Sequence, residues 1–154
     1  MADPENILIL DTTKGVVTIE MRPDLAPGHV AHIRKLVREG FYDGLAFHRV
    51  IDGFMAQGGC PDGTGMGGSG YPDLKAEFNA EPHLRGICSM ARARNPDSAN
   101  SQFFIVFDEA TFLDKQYTVW GKVIEGMENV DQFARGEPVR NPDRINKATI
   151  AADA

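Results

Sequence analysis

The chain has 154 residues, of which 42% are hydrophobic and 25% are charged, a balance typical of one globular domain with a single core. Its formal net charge of −6 argues against nucleic acid or an anionic membrane as a partner, because both attract basic surfaces. No apolar run approaches the ~20 residues that a membrane helix needs.

The first strand signal comes early in the chain. The apolar run at residues 7–10 ends in the turn cluster DTTKG, and Val17, Ile19 and Met21 then alternate with polar residues. This alternation is typical of a half-buried strand, so the two runs predict a β-hairpin. The first ten residues, MADPENILIL, contain acidic residues and no basic region of the kind that begins a signal peptide, and we expect a cytoplasmic protein.

Two helices are predicted. Pro27 fits a first helical turn, the apolar residues that follow have helical spacing, and Gly40 is expected just after the helix ends. A second, shorter helix is predicted at residues 127–135, where apolar residues stand three apart and Gly136 follows.

The rest of the chain favours short strands. Residues 41–124 contain short β-like runs broken by glycine and proline, and residues 145–150 form a candidate closing strand. Many short strands with two helices predict a mainly β domain, closed or sandwiched so that its sheet edges are protected.

Several motifs could suggest other chemistry, but each lacks its context. The glycine-rich segment at residues 63–68 fits a dinucleotide fingerprint, yet no helix pattern opens after it, and a flexible surface loop is favoured. The four histidines have no metal-ligand spacing with the cysteines, and no nucleophile elbow surrounds Ser101. Cys60 and Cys88 are expected to be free thiols in a reducing compartment, with Cys60 partly exposed in its glycine-rich loop.

The segment SQFFIVF, residues 101–107, does not fit a simple core strand. Strand parity places three large apolar side chains on one face: Phe103, Ile105 and Phe107. The opposite face carries Gln102 beside Phe104, an amide next to a phenyl ring. A strand buried on both faces, with the amide satisfied locally, remains one explanation. The segment FMAQ, residues 54–57, repeats this mixture close to Arg49 and favours a site instead.

Four blocks in order carry a family resemblance: FYDGLAFHRVIDGFMAQGGCPDGTGMGGSG, LRGICSMARA, ANSQFFIVF and FLDKQYTVWGKVIEGME. They resemble the cyclophilins, the cyclosporin-binding family of peptidyl-prolyl cis-trans isomerases, over nearly the whole chain. The resemblance implies a single cyclophilin-like domain over residues 1–154. Its fold would be a closed eight-stranded antiparallel β-barrel capped by two α-helices, with the active groove on the outer face.

The resemblance also implies the site residues. Arg49 matches the catalytic arginine. The matching substrate-binding positions are Phe54, Met55, Gln57, Ala91, Gln102, Phe104 and Leu113. Three further groove positions depart from the common eukaryotic pattern: Arg92 for asparagine, Phe112 for tryptophan and Tyr117 for histidine. These departures look like the bacterial branch of the family, and they predict weak cyclosporin binding more than loss of isomerase activity.

The implied function is rotation of X-Pro peptide bonds in support of protein folding, a rotamase activity with a chaperone role. Its substrates would be proline-containing peptides and unfolded proteins, with no cofactor, metal, nucleic acid or membrane required, and a monomer is the default expectation. Two alternatives stay open: a module that binds proline peptides without turning them over, and a structural β-barrel in which Arg49 and Gln102 are incidental. Turnover of a short X-Pro peptide separates the three.

Overall fold

The computed structural model describes residues 3–154, and its eight strands form one antiparallel sheet. In chain order the strands are β1 (Ile7–Thr12), β2 (Gly15–Met21), β3 (Arg49–Ile51), β4 (Met55–Gly58), β5 (Ile87–Met90), β6 (Phe103–Val106), β7 (Val119–Glu125) and β8 (Ile145–Ile150). Their order across the sheet is β3-β4-β6-β5-β7-β2-β1-β8. Two α-helices, α1 (Pro27–Arg38) and α2 (Met127–Val130), pack against β8 and β2 respectively. The prediction of a mainly β fold with eight antiparallel strands and two helices is confirmed.

The predicted β-hairpin is present. Strands β1 and β2 pair over residues 7–12 and 15–20, and the pairing ends at the turn where Thr12 lies opposite Gly15. Gly15 has a φ of +127°, and an added Cβ would lie 2.6 Å from the Asn129 side chain. The turn therefore requires glycine both for its backbone conformation and for the close approach of Asn129.

Helix α1 also agrees with its prediction. It begins at Pro27, and the backbone N–H groups of Gly28 and His29 donate to the Glu77 carboxylate at 3.2 and 2.9 Å. This distant carboxylate accepts from the free N–H groups of the helix N-terminus, because the N-cap residue, Ala26, makes no side-chain hydrogen bond to them. Gly40, with a φ of +74°, follows the last turn as predicted.

The second predicted helix is too long. Helix α2 ends at Val130, whereas the prediction extended it to residue 135. The next amides turn more tightly, with the N–H of Phe133 bonded to the carbonyl of Val130. The N–H of Ala134 instead donates to the buried Asp143 carboxylate at 2.8 Å. This contact comes from a distant part of the chain, so the local spacing could not reveal it.

The sheet is curled but does not close, and the prediction of a closed barrel is wrong. Strands β3 and β8 stand at the two ends of the strand order and do not pair with each other. Strand β3 has only three residues, and its outer edge is occupied by the segment 136–139. Val50 and Gly136 exchange both backbone hydrogen bonds, and the N–H of Val139 donates to the carbonyl of His48. A loop thus protects the edge that barrel closure would otherwise cover.

The two faces of the sheet bury different clusters. The large inner core includes Phe103, Ile105 and Phe107, as strand parity predicted. A smaller cluster on the other face is formed by Met55, Phe104, Val106, Ala110 and Leu113. Strand β6 is therefore buried on both faces, and its second face contributes to the groove described below.

Cys60 and Cys88 are free thiols, and both are fully buried. The expectation that Cys60 is partly exposed is therefore wrong. Its Sγ donates to Asp62 Oδ1 at 2.9 Å and accepts from the backbone N–H groups of Gly65 and Gly67, so the glycine-rich loop folds over it. No helix opens within or directly after this loop.

Residues 3–154 contain no group of three or more histidine, cysteine, aspartate or glutamate residues arranged to hold a metal ion. None of their helices has the length and apolar character needed to cross a membrane.

Candidate active site

A cavity of about 120 Å³ opens on the outer face of the sheet, beside strands β3, β4 and β6. It is lined by Arg49, Phe54, Met55, Gln57, Ala91, Arg92, Phe104, Leu113 and Tyr117. All nine are positions that the sequence proposed as site residues. The fold thus brings together residues that lie up to 68 positions apart, from 49 to 117 (117 − 49 = 68).

The floor of the cavity is apolar and well packed. Met55 and Phe104 are almost fully buried, and Leu113 closes one side from the 3-10 turn Thr111–Leu113. The ring of Phe104 stacks on His83 with ring centroids 6.2 Å apart, and Tyr117 meets it edge-on at 5.7 Å. Aromatic contacts on two sides hold the ring in place, so the cavity offers a preformed surface for a compact apolar group.

A chain of polar side chains lies along the edge of this floor. Arg49 and Gln57 are opposite each other in the β3–β4 pairing, and Arg49 Nη1 donates to Gln57 Oε1 at 3.3 Å. Gln57 Nε2 donates to Gln102 Oε1 at 2.9 Å, and Gln102 Nε2 donates to the carbonyls of Gly65 and Gly67. Each amide is anchored by the next, so the orientation of Arg49 is tied to the glycine-rich loop.

Arg49 has a second partner that the sequence did not suggest. Its Nε donates to Glu137 Oε1 at 2.8 Å. Glu137 stands 88 positions further along the chain (137 − 49 = 88), and it belongs to no pattern that would mark it. Within residues 3–154, Nη2 of Arg49 has no hydrogen-bond partner, so this end of the guanidinium has donors free for a ligand.

Arg92 forms the wall at one side of the cavity. Its guanidinium lies 4.5 Å above the ring of Tyr117 and donates to the carbonyl of Gln116 through Nε and Nη2, at 3.1 and 2.7 Å. Nη1 donates to the carbonyls of Ala93 and Arg94. The side chain joins the loop after β5 to the loop before β7. All three of its guanidinium nitrogens donate to backbone carbonyl groups of the protein.

Two proposed site residues lie outside this cavity. Phe112 is 67% exposed and stands at the rim, its ring centroid 5.6 Å from that of Phe54. Gln102 lines a neighbouring cavity of about 240 Å³, formed largely by the glycine-rich loop and residues 91–102. Gln57, Ala91 and Arg92 line both cavities, so the two form one continuous groove.

An acid–histidine–hydroxyl chain lies beneath the floor, with its histidine and hydroxyl buried and its acid partly exposed. His83 Nδ1 is 2.9 Å from Asp114 Oδ1, and His83 Nε2 is 3.1 Å from Ser89 Oγ. Burial lowers the pKa of His83, although the hydrogen bond to Asp114 opposes this, and the backbone N–H of His83 lowers the pKa of Asp114. Ser89 is fully buried, so its hydroxyl cannot reach a substrate carbonyl. The chain supports the ring of Phe104 and does not form a hydrolytic triad.

Comparisons with known proteins agree on one family. Residues 7–151 match the family model for cyclophilin type peptidyl-prolyl cis-trans isomerases. A probable peptidyl-prolyl cis-trans isomerase of Brucella suis is 57% identical, covering 99% of this chain and 86% of the relative. Peptidyl-prolyl cis-trans isomerase B of Bacillus subtilis is 48% identical, covering 80% of this chain and 87% of the relative.

Solved structures give the same result. A cyclophilin from Hirschia baltica superimposes with a TM-score of 0.92 at 35% identity, covering 99% of this chain and 76% of the other. A cyclophilin type peptidyl-prolyl cis-trans isomerase of Cryptosporidium parvum, crystallised in the presence of the dipeptide Ala-Pro, gives 0.87 at 28% identity, covering 94% and 98%. Family and fold thus define an isomerase. The chain belongs to the cyclophilin-type peptidyl-prolyl cis-trans isomerases, as its sequence predicted.

Proposed function

We propose that the groove isomerises X-Pro bonds by binding the twisted amide more tightly than either planar form, with Arg49 as the catalytic residue. One observation carries this proposal: an arginine with unpaired donors stands at the edge of an apolar cavity of about 120 Å³. The cavity accepts a proline ring, and the guanidinium reaches the nitrogen of that ring.

The rate enhancement that the groove must provide follows from amide chemistry. Resonance opposes rotation with a barrier of roughly 18–20 kcal/mol. Proline brings the cis and trans forms to within about 1 kcal/mol, but exchange still takes on the order of tens of seconds. Shortening the exchange time to milliseconds requires a rate enhancement of about 10⁴-fold. This corresponds to lowering the barrier by roughly 5.5 kcal/mol. Because no covalent bond breaks, the reaction needs no nucleophile, metal or cofactor.

Differential binding supplies this energy. In the twisted state the proline nitrogen becomes pyramidal and regains its lone pair, which then accepts a hydrogen bond. A guanidinium stays protonated and carries five donors in a fixed plane, so Arg49 donates to that nitrogen. The bond is weak to the planar amide and strong at the transition state, which is the condition for raising turnover.

The other groove residues hold the peptide in place. The proline ring packs against Phe54, Met55, Phe104 and Leu113. Gln57 fixes Arg49, and Gln102 fixes Gln57 and faces the neighbouring cavity on the carbonyl side. With one half of the bond held, only the other half rotates.

Four positions define the rest of the groove. The backbones of Ala91 and Arg92 border the peptide path, while the Arg92 side chain holds Tyr117 in the wall. Phe112 offers an apolar surface at the rim. Since Phe112 and Tyr117 replace the usual tryptophan and histidine, we predict weak cyclosporin binding.

The substrates in this proposal are proline-containing peptides and unfolded proteins. The presence of Ala-Pro with the Cryptosporidium parvum relative is consistent with such ligands. A role in protein folding, a cytoplasmic location and a monomeric state stay predictions from the sequence.

The test is NMR exchange spectroscopy on a short X-Pro peptide with catalytic amounts of the purified chain. We expect faster cis-trans exchange, largely lost in the Arg49→Ala variant, which also excludes a contaminating isomerase. Saturable peptide binding without faster exchange would support a binding module instead. Neither binding nor exchange would support a structural scaffold.

A further inference from the structure

We propose that Glu137 is a positioning residue for the isomerase reaction, and that it acts by holding the guanidinium of Arg49 in its productive orientation. The inference rests on the proposed role of Arg49. The contact between Arg49 Nε and Glu137 Oε1, at 2.8 Å, is the shorter of the two hydrogen bonds that the Arg49 side chain makes within residues 3–154.

The backbone places Glu137 beside Arg49. Val50, the residue after Arg49, exchanges two backbone hydrogen bonds with Gly136, the residue before Glu137. A third bond joins Val139 to His48 on the other side of Arg49. Backbone hydrogen bonds on both sides of the pair thus hold segment 136–139 against β3 and the residue before it, which keeps the Glu137 backbone beside Arg49.

Gly136 is required for this arrangement. Its φ is +153°, and an added Cβ would lie 2.8 Å from the carbonyl oxygen of Pro138 and 3.0 Å from Cα of Val139. These are backbone atoms, which cannot move aside without shifting the segment. The path of the chain through Glu137 is therefore defined by local sterics as well as by hydrogen bonds.

Two hydrogen bonds to different nitrogens orient a planar group. Nε donates to Glu137 and Nη1 donates to Gln57, and these contacts fix both the plane of the guanidinium and its rotation within that plane. Nη2 has no hydrogen-bond partner within residues 3–154, so its donors are available to a ligand. Without Glu137 the side chain would be held at Nη1 alone, through a longer bond of 3.3 Å.

The pair contributes little to folding. The side chains of Arg49 and Glu137 are 44% and 53% exposed, and ion pairs in that range have small effects on stability because water screens them. A structural role and a positioning role therefore give different results: loss of Glu137 lowers turnover and leaves the melting temperature almost unchanged.

The experiment compares Glu137→Ala, Glu137→Gln, Arg49→Ala and the double variant R49A/E137A. NMR exchange at several concentrations of one X-Pro peptide gives kcat and KM for each. We expect Glu137→Ala to lower kcat about three- to tenfold with little change in KM, which is the size of one orienting hydrogen bond. Glu137→Gln keeps an acceptor oxygen and should stay within about twofold of the parent.

The double variant identifies the route of the effect. If Glu137 acts through Arg49, its removal in the Arg49→Ala background changes nothing further, so the two effects are not additive. The matched control is Glu5→Ala, which breaks a pair with Arg38 of 2.6 Å on a surface that does not line the groove, and it should leave kcat unchanged. A direct readout is the Arg49 Nε–H signal in ¹H–¹⁵N spectra, whose exchange with water should be faster in Glu137→Ala and near parental in Glu137→Gln.

Three outcomes would overturn the proposal. An equal loss of kcat in the parent and in the Arg49→Ala background would mean that Glu137 acts by another route. A higher kcat in Glu137→Ala would mean that the carboxylate weakens Arg49 as a donor. Unchanged kcat in Glu137→Ala, with kcat reduced in Arg49→Ala, would remove the positioning role and keep the proposed function. Parental kcat in Arg49→Ala would instead contradict the proposed function itself.

Discussion

Replacement of Arg49 by alanine and by lysine tests the catalytic step directly. A charge-assisted hydrogen bond at a partly dry site is worth around 2–3 kcal/mol, which predicts a loss of roughly 30- to 200-fold in turnover for Arg49→Ala. The Arg49 side chain is 44% exposed, so screening favours the lower end of this range. Because the bond forms mainly at the transition state, peptide affinity should change far less than turnover.

Lysine separates charge from geometry. Arg49→Lys keeps a positive charge, but it cannot donate to both Glu137 and Gln57 while directing further donors in the same plane toward the substrate. It should therefore restore only a small part of the lost turnover. NMR exchange measures turnover, and titration with a proline peptide measures affinity.

Three results would refute this reasoning. A parallel fall of affinity and turnover in Arg49→Ala would show that Arg49 only holds the peptide, and full activity in Arg49→Lys would show that charge alone is sufficient. Values within about twofold of the parent for both variants would make Arg49 an ordinary surface charge.

Three further predictions concern other parts of the molecule. Cys60 and Cys88 are buried, and burial raises the pKa of Cys88, so iodoacetamide should leave both thiols and the activity of the folded chain largely unchanged. Loss of turnover on mild alkylation, with the fold intact, would contradict the mechanism. Phe112→Trp adds a larger surface and an N–H donor at the exposed rim, so cyclosporin should inhibit more strongly while peptide turnover changes little; an unchanged inhibition constant would exclude this explanation. Burial lowers the pKa values of His29, His48 and His83, so the unfolded chain binds more protons once the pH falls below about 6.5. The free energy of unfolding should then fall from about pH 7.5 to 5.5, by up to about 1.4 kcal/mol for each histidine that stays neutral, and equal urea midpoints at the two pH values would contradict this.

The elements that the sequence predicted correctly are those with local causes. The β1–β2 hairpin follows from alternation and a turn cluster, and helix α1 follows from apolar spacing between Pro27 and Gly40. The errors have distant causes. The buried carboxylate of Asp143 binds the amide of Ala134 just beyond α2, and segment 136–139 covers the edge of β3 that closure would have used.

The residues of the candidate site also differ in whether the sequence could predict them. The mixture of amide and aromatic side chains on β6 and in FMAQ indicated a functional face, and the family resemblance supplied the individual positions around Arg49. Neither the side-chain pattern nor the family resemblance indicated Glu137. Its contact with Arg49 depends on backbone hydrogen bonds between Val50 and Gly136, which bring distant segments together. Sequence patterns report which side chains share a face of one element, whereas a partner from another segment is visible only in the fold.

Strand β6 contributes to both the main core and the candidate site. Its inward side chains, Phe103 and Ile105, belong to the main core, and the outward ring of Phe104 forms the cavity floor. A groove on the outer face leaves the inner packing continuous, so binding a proline ring requires no void in the core. The polar chain from Arg49 through Gln57 to Gln102 runs across neighbouring strands, where regular pairing sets its spacing. Backbone register thus positions Arg49 and Gln57 beside the cavity, and Nη2 of Arg49, which has no partner within residues 3–154, stays available to a ligand.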